Sequence, residues 1–305
     1  MVLSVILCTH NPRRDYLDRT LAALQTQSYD KGKWELLVID NDSHPPLREG
    51  LDLSWHPSAR IVEEPDLGIL PARVRGLREA SASLMLFVDD DNVLAPDYLE
   101  TALEIANLHP FLGCWGGSLT PEFEVPPPPW IETFKLFLAC VDVPEDRWSN
   151  LRFSHATLPP TAGMCLRRAV AKQFIHLVET DPRRQLLGRR GKTGLTNGED
   201  ADLAYTACDI GLGTGQFARL KMTHLIPAGR LELNYLLRFA EGTYFSSLIL
   251  QALRGRKPEP NASSAPRAMI GGLRRRLFWN RWHRKLFECQ LRAHQRACEV
   301  VADWR

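Results

Sequence analysis

The chain has 305 residues, 44% hydrophobic and 24% charged, with a formal net charge of +2. This composition supplies enough apolar side chains for a sizeable core and excludes the disordered, collagen-like and disulfide-scaffold classes. The charge is uneven: ten Lys+Arg stand against three Asp+Glu from Arg267 to Arg305, which leaves the preceding residues mildly acidic and argues against a nucleic-acid enzyme.

Cysteines at 8, 114, 140, 165, 208, 289 and 298 form no CxxC pair, and their number is odd. A disulfide framework or zinc site is therefore not expected, and a reducing cytosol is. The apolar run from Val2 to Leu7 is too short for a signal-peptide core. No stretch approaches the ~18 uncharged apolar residues of a membrane span. A cytoplasmic chain is expected, with the cytosolic face of a membrane as the alternative.

In chain order, Val2 to Cys8 predicts a strand broken by Thr9-His10-Asn11-Pro12, and Arg14 to Gln27 has helical apolar spacing. Glu35 to Ile39 predicts a second buried strand, ended by Asp40-Asn41-Asp42-Ser43, and Arg60 to Glu63 a third. Pro71 to Ala80 reads as a helix, Leu84 to Val88 as a strand and Asp97 to Leu108 as a helix, with Pro96 where helices begin. Strands alternating with helices at this spacing predict a parallel, doubly wound sheet, in which ligands gather beyond the carboxyl ends of the strands. Thr9-His10-Asn11, Asp40-Asn41-Asp42 and Asp89-Asp90-Asp91 all fall at such ends.

The three aspartates closing the Leu84 to Val88 run are the most informative feature. Carboxylates at the end of a buried strand are costly unless a cation sits there. Strand alternation would point Asp89 and Asp91 the same way, giving a hard oxygen site for Mg2+ or Mn2+. A solvated acidic turn ahead of the next helix is the competing reading.

From Pro121 the pattern changes. Pro126 to Pro129 reads as an extended spacer and Trp130 to Leu138 has helical apolar spacing. Leu186 to Gly198 reads as a mobile loop, Asp200 to Asp209 as a helix and Leu231 to Leu253 as another. Gly255 to Arg267 is a polar linker. The tail interleaves Leu273, Leu277, Trp279, Trp282, Leu286 and Phe287 with Arg274 to Arg276, Arg281, Arg284 and Lys285. Such a segment suits either an anionic membrane surface or packing on the body or on a second subunit.

Taken in order, these pieces resemble the family 2 glycosyltransferases of the GT-A fold. Ser4-Val5-Ile6-Leu7-Cys8-Thr9-His10-Asn11 looks like the family's opening strand, and Leu36-Leu37-Val38-Ile39-Asp40-Asn41-Asp42-Ser43 like its second strand and nucleobase loop. Gly68 with Ala72-Arg73-Val74-Arg75-Gly76 matches its Gly…Ala-Arg-Asn-x-Gly segment, and Phe87-Val88-Asp89-Asp90-Asp91 its DxD-type strand. Thr161 to Arg167 resembles a later strand, Gly198-Glu199-Asp200-Ala201-Asp202-Leu203 the Glu-Asp motif, and His224 to Leu231 an HxIPxxRL stretch. His10 stands where the family usually has Tyr, and Val74 where it has Asn, so nucleotide preference is left open.

The resemblance implies an α/β GT-A fold, Rossmann-like with a mostly parallel central sheet flanked by helices, and a C-terminal helical extension. The expected division is 1–254 for the glycosyltransferase domain, 255–267 for the linker and 268–305 for the basic helical tail. The implied activity is a hexosyltransferase-type, inverting, metal-dependent transfer from a nucleotide-sugar donor to an acceptor hydroxyl, in polysaccharide or glycoconjugate synthesis. Asp91, Asp89 and His224 are the expected metal ligands for Mn2+ or Mg2+. Thr9, His10, Asn11, Asp40, Asn41, Asp42, Arg73, Asp89 and Asp90 would meet the nucleotide. Asp200 would be the catalytic base, although acids in a first helical turn are also electrostatically favoured there. Glu199 and the loop cations Arg189, Arg190 and Lys192 would serve the acceptor or clamp the donor. The implied partners are the donor and a glycan or lipid-linked acceptor, with no nucleic acid, and with peripheral membrane contact or a homo-oligomer through the tail as alternatives. A sugar-phosphate nucleotidyltransferase is the competing enzyme class, but it wants a Gly-rich basic loop where Thr9-His10-Asn11-Pro12 stands. A non-catalytic sugar-nucleotide-binding or scaffold protein is the third reading.

Overall fold

The computed structural model describes residues 1–188, 195–259 and 280–304. Four strands, β1 (Leu3–Thr9), β2 (Trp34–Asp40), β3 (Ala59–Glu63) and β4 (Leu84–Asp89), lie in the order β3-β2-β1-β4, all parallel. Every residue of β1 and β2 is buried, as their unbroken apolar runs require of strands covered on both faces.

Alternation sorts the two faces. Val5, Leu7, Leu36, Val38, Leu86 and Val88 pack with apolar residues of α1 (Arg14–Gln25) and α3 (Tyr98–Leu108). Ile6, Cys8, Leu37, Ile39, Met85 and Phe87 pack with α2 (Ile69–Glu79), α4 (Arg168–Thr180) and α5 (Glu199–Asp209). Each fully buried Leu contributes about 1.5–3 kcal/mol through this burial. Gly76 lets α2 approach β1, since a Cβ there would lie 2.3 Å from Ile6 Cγ2.

Beyond β4 the sheet becomes mixed. β5 (Asn92–Leu94), β6 (Leu112–Phe123), β7 (Arg147–Ser149), β8 (Cys165–Arg167) and β9 (Gly213–Ile226) complete nine strands in the order β3-β2-β1-β4-β8-β6-β9-β5, with β7 pairing β9. β8 runs antiparallel between β4 and β6, while β6 and β9 are parallel.

The chain forms two compact units. The sheet unit comprises Met1–Glu124, Ala139–Pro182 and Glu199–Ile226. The helical unit comprises Val125–Leu138, Arg183–Gly198 and Pro227–Arg305. Within the helical unit, α6 (Leu233–Ala252) packs with α7 (Arg281–Val301). Leu286, Cys289, Ala293, Ala297 and Val301 form the buried stripe of α7. The Cys289 thiol lies 3.4 Å from Leu237 O, Arg292 pairs with Glu241 at 2.7 Å, and the Arg296 guanidinium sits 4.3 Å from the Phe245 ring centre. These partners advance together, so the two helices run in the same direction. The tail's apolar stripe is thus buried against protein. The segment Trp130 to Leu138, with its helical apolar spacing, is a 3-10 helix over Pro129–Leu138. Leu273, Leu277, Trp279 and Arg274 to Arg276 lie outside the described residues.

Candidate active site

Because β1, β2 and β4 are parallel and in register, with Thr9 opposite Asp40 and Cys8 opposite Asp89, their polar carboxyl ends meet on one edge of the sheet unit. The strand carrying the aspartates stops at Asp89, and Asp90 and Asp91 form a turn into β5. Strand alternation therefore does not carry on to Asp91 and sets no common direction for Asp89 and Asp91. Asp89 approaches Arg73 at 3.8 Å, Asp90 accepts a hydrogen bond from Thr9 Oγ1, and Asp91 lies 3.5 Å from His224 Nε2.

The Asp91–His224 approach is fixed by backbone pairing. Asn92 stands opposite His224 in the β5–β9 ladder, and Leu225 N donates to Asp91 O. Asn92 holds the turn from inside: its Nδ2 donates to Asp91 Oδ1 at 3.0 Å, and its Oδ1 accepts from Asp89 N at 3.1 Å. Asn92 was absent from the sequence-based site. Its position after three aspartates at a strand end was the available signal, because Asn favours such turns.

Arg73 is the organising cation. Its side chain is only 7% exposed, and it pairs with Glu199 at 2.6 Å. Burial opposes its charge, but Glu199, Asp89 and Asp200 outweigh that and hold it protonated. Asp200, beside Glu199 at the start of α5, is half-buried. Burial raises its carboxyl above the ordinary range, opposed by Arg73 and by the hydrogen bond from Ala201 N, and Asp89 pushes in the same direction as burial. Below this cluster, the Cys8 thiol is pushed up to about 12 by burial, so it stays protonated and inert.

The first two strand ends shape one another. Asp40 accepts from Ser43 N and Leu47 N, which engages both its oxygens in its own loop. Asn41 donates to Glu64 O and Asp66 O and accepts from Gly68 N, latching the loop after β3. Gly68 occupies φ 152°, a conformation that favours glycine. In this structure Asp40 and Asn41 are engaged inside the protein, while the Asp42 side chain is 41% exposed. His10 is exposed and held by its ring: Nδ1 lies 2.7 Å from Asn41 O and Nε2 lies 3.0 Å from Asn11 Nδ2. A carbonyl only accepts, so Nδ1 carries the proton and Nε2 accepts from Asn11. Asn11 also accepts from His44 N. Arg189, Arg190 and Lys192 lie outside the described residues.

A cavity of 590 Å³ opens at the other end of the strands, lined by Val2, Leu84, Glu100 and Arg168 among others. Its arginines are engaged with backbone carbonyls, Arg167 with Leu112 and Ala106 and Arg168 with Ala82 and Ala80. The convergent carboxylates are at the carboxyl edge instead.

Among the described residues, no three His, Cys, Asp or Glu side chains group into a complete metal site. The donor set nevertheless fits a divalent ion whose coordination is shared with a substrate. Asp91 and His224 could offer one oxygen and one nitrogen ligand from adjoining turn and strand, and a hard cation of this kind takes its remaining positions from phosphate oxygens and water.

Comparisons with known proteins bear on the family and the fold. The profile described as Glycosyl transferase family 2 matches residues 4–172. The succinoglycan biosynthesis protein ExoM of Rhizobium meliloti (strain 1021) is 26% identical over 272 residues, covering 86% of this chain and 80% of that protein. A validoxylamine A glucosyltransferase of Streptomyces hygroscopicus subsp. jinggangensis (strain 5008) is 36% identical over 106 residues, 33% of this chain and 25% of that one. In fold, the chain is similar to the mannosyltransferase PcManGT from Pyrobaculum calidifontis, solved with GDP-Man and Mn2+, at TM-score 0.56 and 16% identity over 99% of this chain and 87% of that one. It is likewise similar to S. aureus TarS 1-349 in complex with UDP-GlcNAc, at TM-score 0.55 and 14% identity over 99% and 82%. The fold is the GT-A architecture, and the family match makes the chain a glycosyltransferase. The chain belongs to glycosyl transferase family 2.

Proposed function

We propose that this glycosyltransferase moves a hexose from a nucleoside-diphosphate sugar to an acceptor hydroxyl with inversion, assisted by Mn2+ or Mg2+, in the assembly of a polysaccharide or glycoconjugate. The observation that carries this reading is the convergence of Asp91, His224, Arg73, Glu199 and Asp200 on one edge of one sheet. The polysaccharide setting is supported by similarity to the succinoglycan biosynthesis protein along most of both chains. The acceptor is a glycan or a lipid-linked glycan, and the buried thiols Cys8, Cys114 and Cys165 suit a reducing, cytosolic site of action.

In this reading Asp91 and His224 would hold the ion, with Asp89 reaching it through water or meeting the ribose. When bound, the ion supplies Lewis-acid stabilisation of the charge on the departing nucleoside diphosphate. His10, fixed by Asn41 and Asn11, offers a ring face to the nucleobase, and Asp42 an exposed carboxylate to base or ribose. Thr9, Asn11 and Asp90 line the approach, while Asp40 and Asn41 shape the loop. Asp200 accepts the proton of the acceptor hydroxyl as its oxygen bonds to the anomeric carbon and the bond to the diphosphate breaks. Arg73 keeps an ionised Asp200 tolerable, and Glu199 anchors Arg73. Arg189, Arg190 and Lys192 are proposed to clamp the diphosphate or an anionic acceptor. In domain terms, 1–254 is proposed to carry catalysis, with 255–267 as linker and 268–305 as tail.

Incubation with a panel of nucleoside-diphosphate sugars, Mn2+ and glycan acceptors tests the reading. The expected result is acceptor-dependent release of nucleoside diphosphate and a product of inverted anomeric configuration by NMR. Release of pyrophosphate when the chain is given a nucleoside triphosphate and a sugar 1-phosphate would assign it to the nucleotidyltransferases, and donor binding without turnover would assign it to the binding proteins.

A further inference from the structure

We infer that the helical unit carries a docking edge for an anionic lipid surface, built from Leu136, the Trp130–Trp282 pair and the basic side chains Arg281, Arg284 and Lys285. The inference uses no residue of the sheet edge, so it stands or falls independently of the proposed reaction.

Leu136 is 81% exposed, more than any other large hydrophobic side chain among the described residues. It lies on the 3-10 segment Pro129–Leu138. In a 3-10 helix residues three apart eclipse, so Trp130, Thr133 and Leu136 share one edge while the buried Ile131 and Phe134 share another. Trp130 meets Trp282 of α7 at 5.4 Å between ring centroids, and Trp282 carries the Arg281 guanidinium 4.0 Å above its ring. The 3-10 segment and the start of α7 therefore form one continuous edge. Both indoles are half-buried, and Leu136 is exposed two 3-10 turns further along the Trp130 edge.

The charges on this edge exceed what the helix itself offsets: Glu288 is the one acidic residue within reach of Arg284 and Lys285 along it. Arg281, Arg284 and Lys285 are exposed in the first two turns of α7, whose first turn holds no acidic residue. The helix dipole disfavours cations at an N-terminus. Their placement is accounted for by an anionic partner. Indoles at a polar–apolar boundary, one projecting leucine and long basic side chains that keep their charged ends in water match a bilayer headgroup region. A symmetric pairing with a second copy would bring the same cations face to face, a repulsive arrangement. Among the described residues no helix is long and apolar enough to cross a membrane, so the contact proposed is peripheral.

Each basic side chain near an anionic surface strengthens partitioning about fivefold. The test is flotation of the full chain with phosphatidylcholine vesicles with and without phosphatidylglycerol, at low and high salt, alongside sedimentation velocity without lipid. The expected result is binding only to the phosphatidylglycerol vesicles, weakened by salt. The triple variant Arg281→Gln, Arg284→Gln, Lys285→Gln should bind about a hundredfold more weakly. Leu136→Ser should also weaken binding with no change in melting temperature, because the side chain is exposed, and it decides the matter alone if the triple variant does not fold. No binding by the wild-type chain overturns the inference, as does binding that Leu136→Ser and the triple variant leave intact. A wild-type dimer that Leu136→Ser dissociates, with no vesicle binding, overturns it in favour of a second copy.

Discussion

Arg73 and Glu199 form an ion pair at 2.6 Å with both side chains 7% exposed, joining α2 to the start of α5 across 126 residues of sequence. A buried pair of this kind contributes little over an apolar replacement of both partners, but breaking it strands a charge in the interior. Arg73→Met is expected to lose about 3–5 kcal/mol of stability. Arg73→Met combined with Glu199→Met should recover most of that loss. Urea unfolding of the single and double variants reads the coupling, and additive losses would show that the two groups do not meet as described.

Asp200 gives a second prediction with a sign in two observables. Its folded-state carboxyl lies above the ordinary range because burial, opposed by Arg73, favours the neutral form. As a base it works ionised, so turnover should rise with pH on an acid limb displaced above a free carboxylate. For stability, a raised folded value means the group's contribution is full below its unfolded value and is lost as pH rises through the folded one. Ionised Asp200 therefore strains the fold at neutral pH. Asp200→Asn should lower turnover by about a hundredfold or more while raising the melting temperature at neutral pH. Near-normal turnover would remove Asp200 from the role of base.

The Asn41 latch gives a third. Its amide makes three hydrogen bonds, to Glu64 O, Asp66 O and from Gly68 N. Asn41→Ala should cost about 2–3 kcal/mol at roughly 1 kcal/mol per bond. Asn41→Asp should do no better, because its carboxylate faces two carbonyl oxygens that need a donor. Chemical denaturation of both variants checks this; a stable Asn41→Asp would mean the loop is held by something else.

The parallel half of the sheet was legible in the sequence because β1, β2 and β4 are buried on both faces and read as unbroken apolar runs ended by polar clusters. β6 and β9 were not read as strands. Gly113, Gly116, Gly117 and Pro121 in β6, with Gly213 and Gly215 in β9, depress strand character. These glycines serve close packing instead: a Cβ at Gly117 would lie 2.0 Å from Leu220 O. The candidate residues Asp91, His224, Arg73, Glu199 and Asp200 were all named from the sequence. The Arg73–Glu199 pairing was not, since spacing along the chain carries no information about a tertiary partner. The turn at Asp90 also escaped, because alternation was carried two residues past the end of the strand.

The most direct test of the account is calorimetric titration of UDP and GDP into the wild-type chain and Asp91→Asn, with and without Mn2+. Asn at this position keeps the shape and the bond accepted from Asn92 Nδ2 while removing the charge. The wild-type chain is expected to bind at least one of the two nucleotides in a Mn2+-dependent manner. Asp91→Asn is expected to keep its fold but lose the Mn2+ dependence. Binding of the nucleotide by Asp91→Asn with unchanged affinity and unchanged Mn2+ dependence would contradict it.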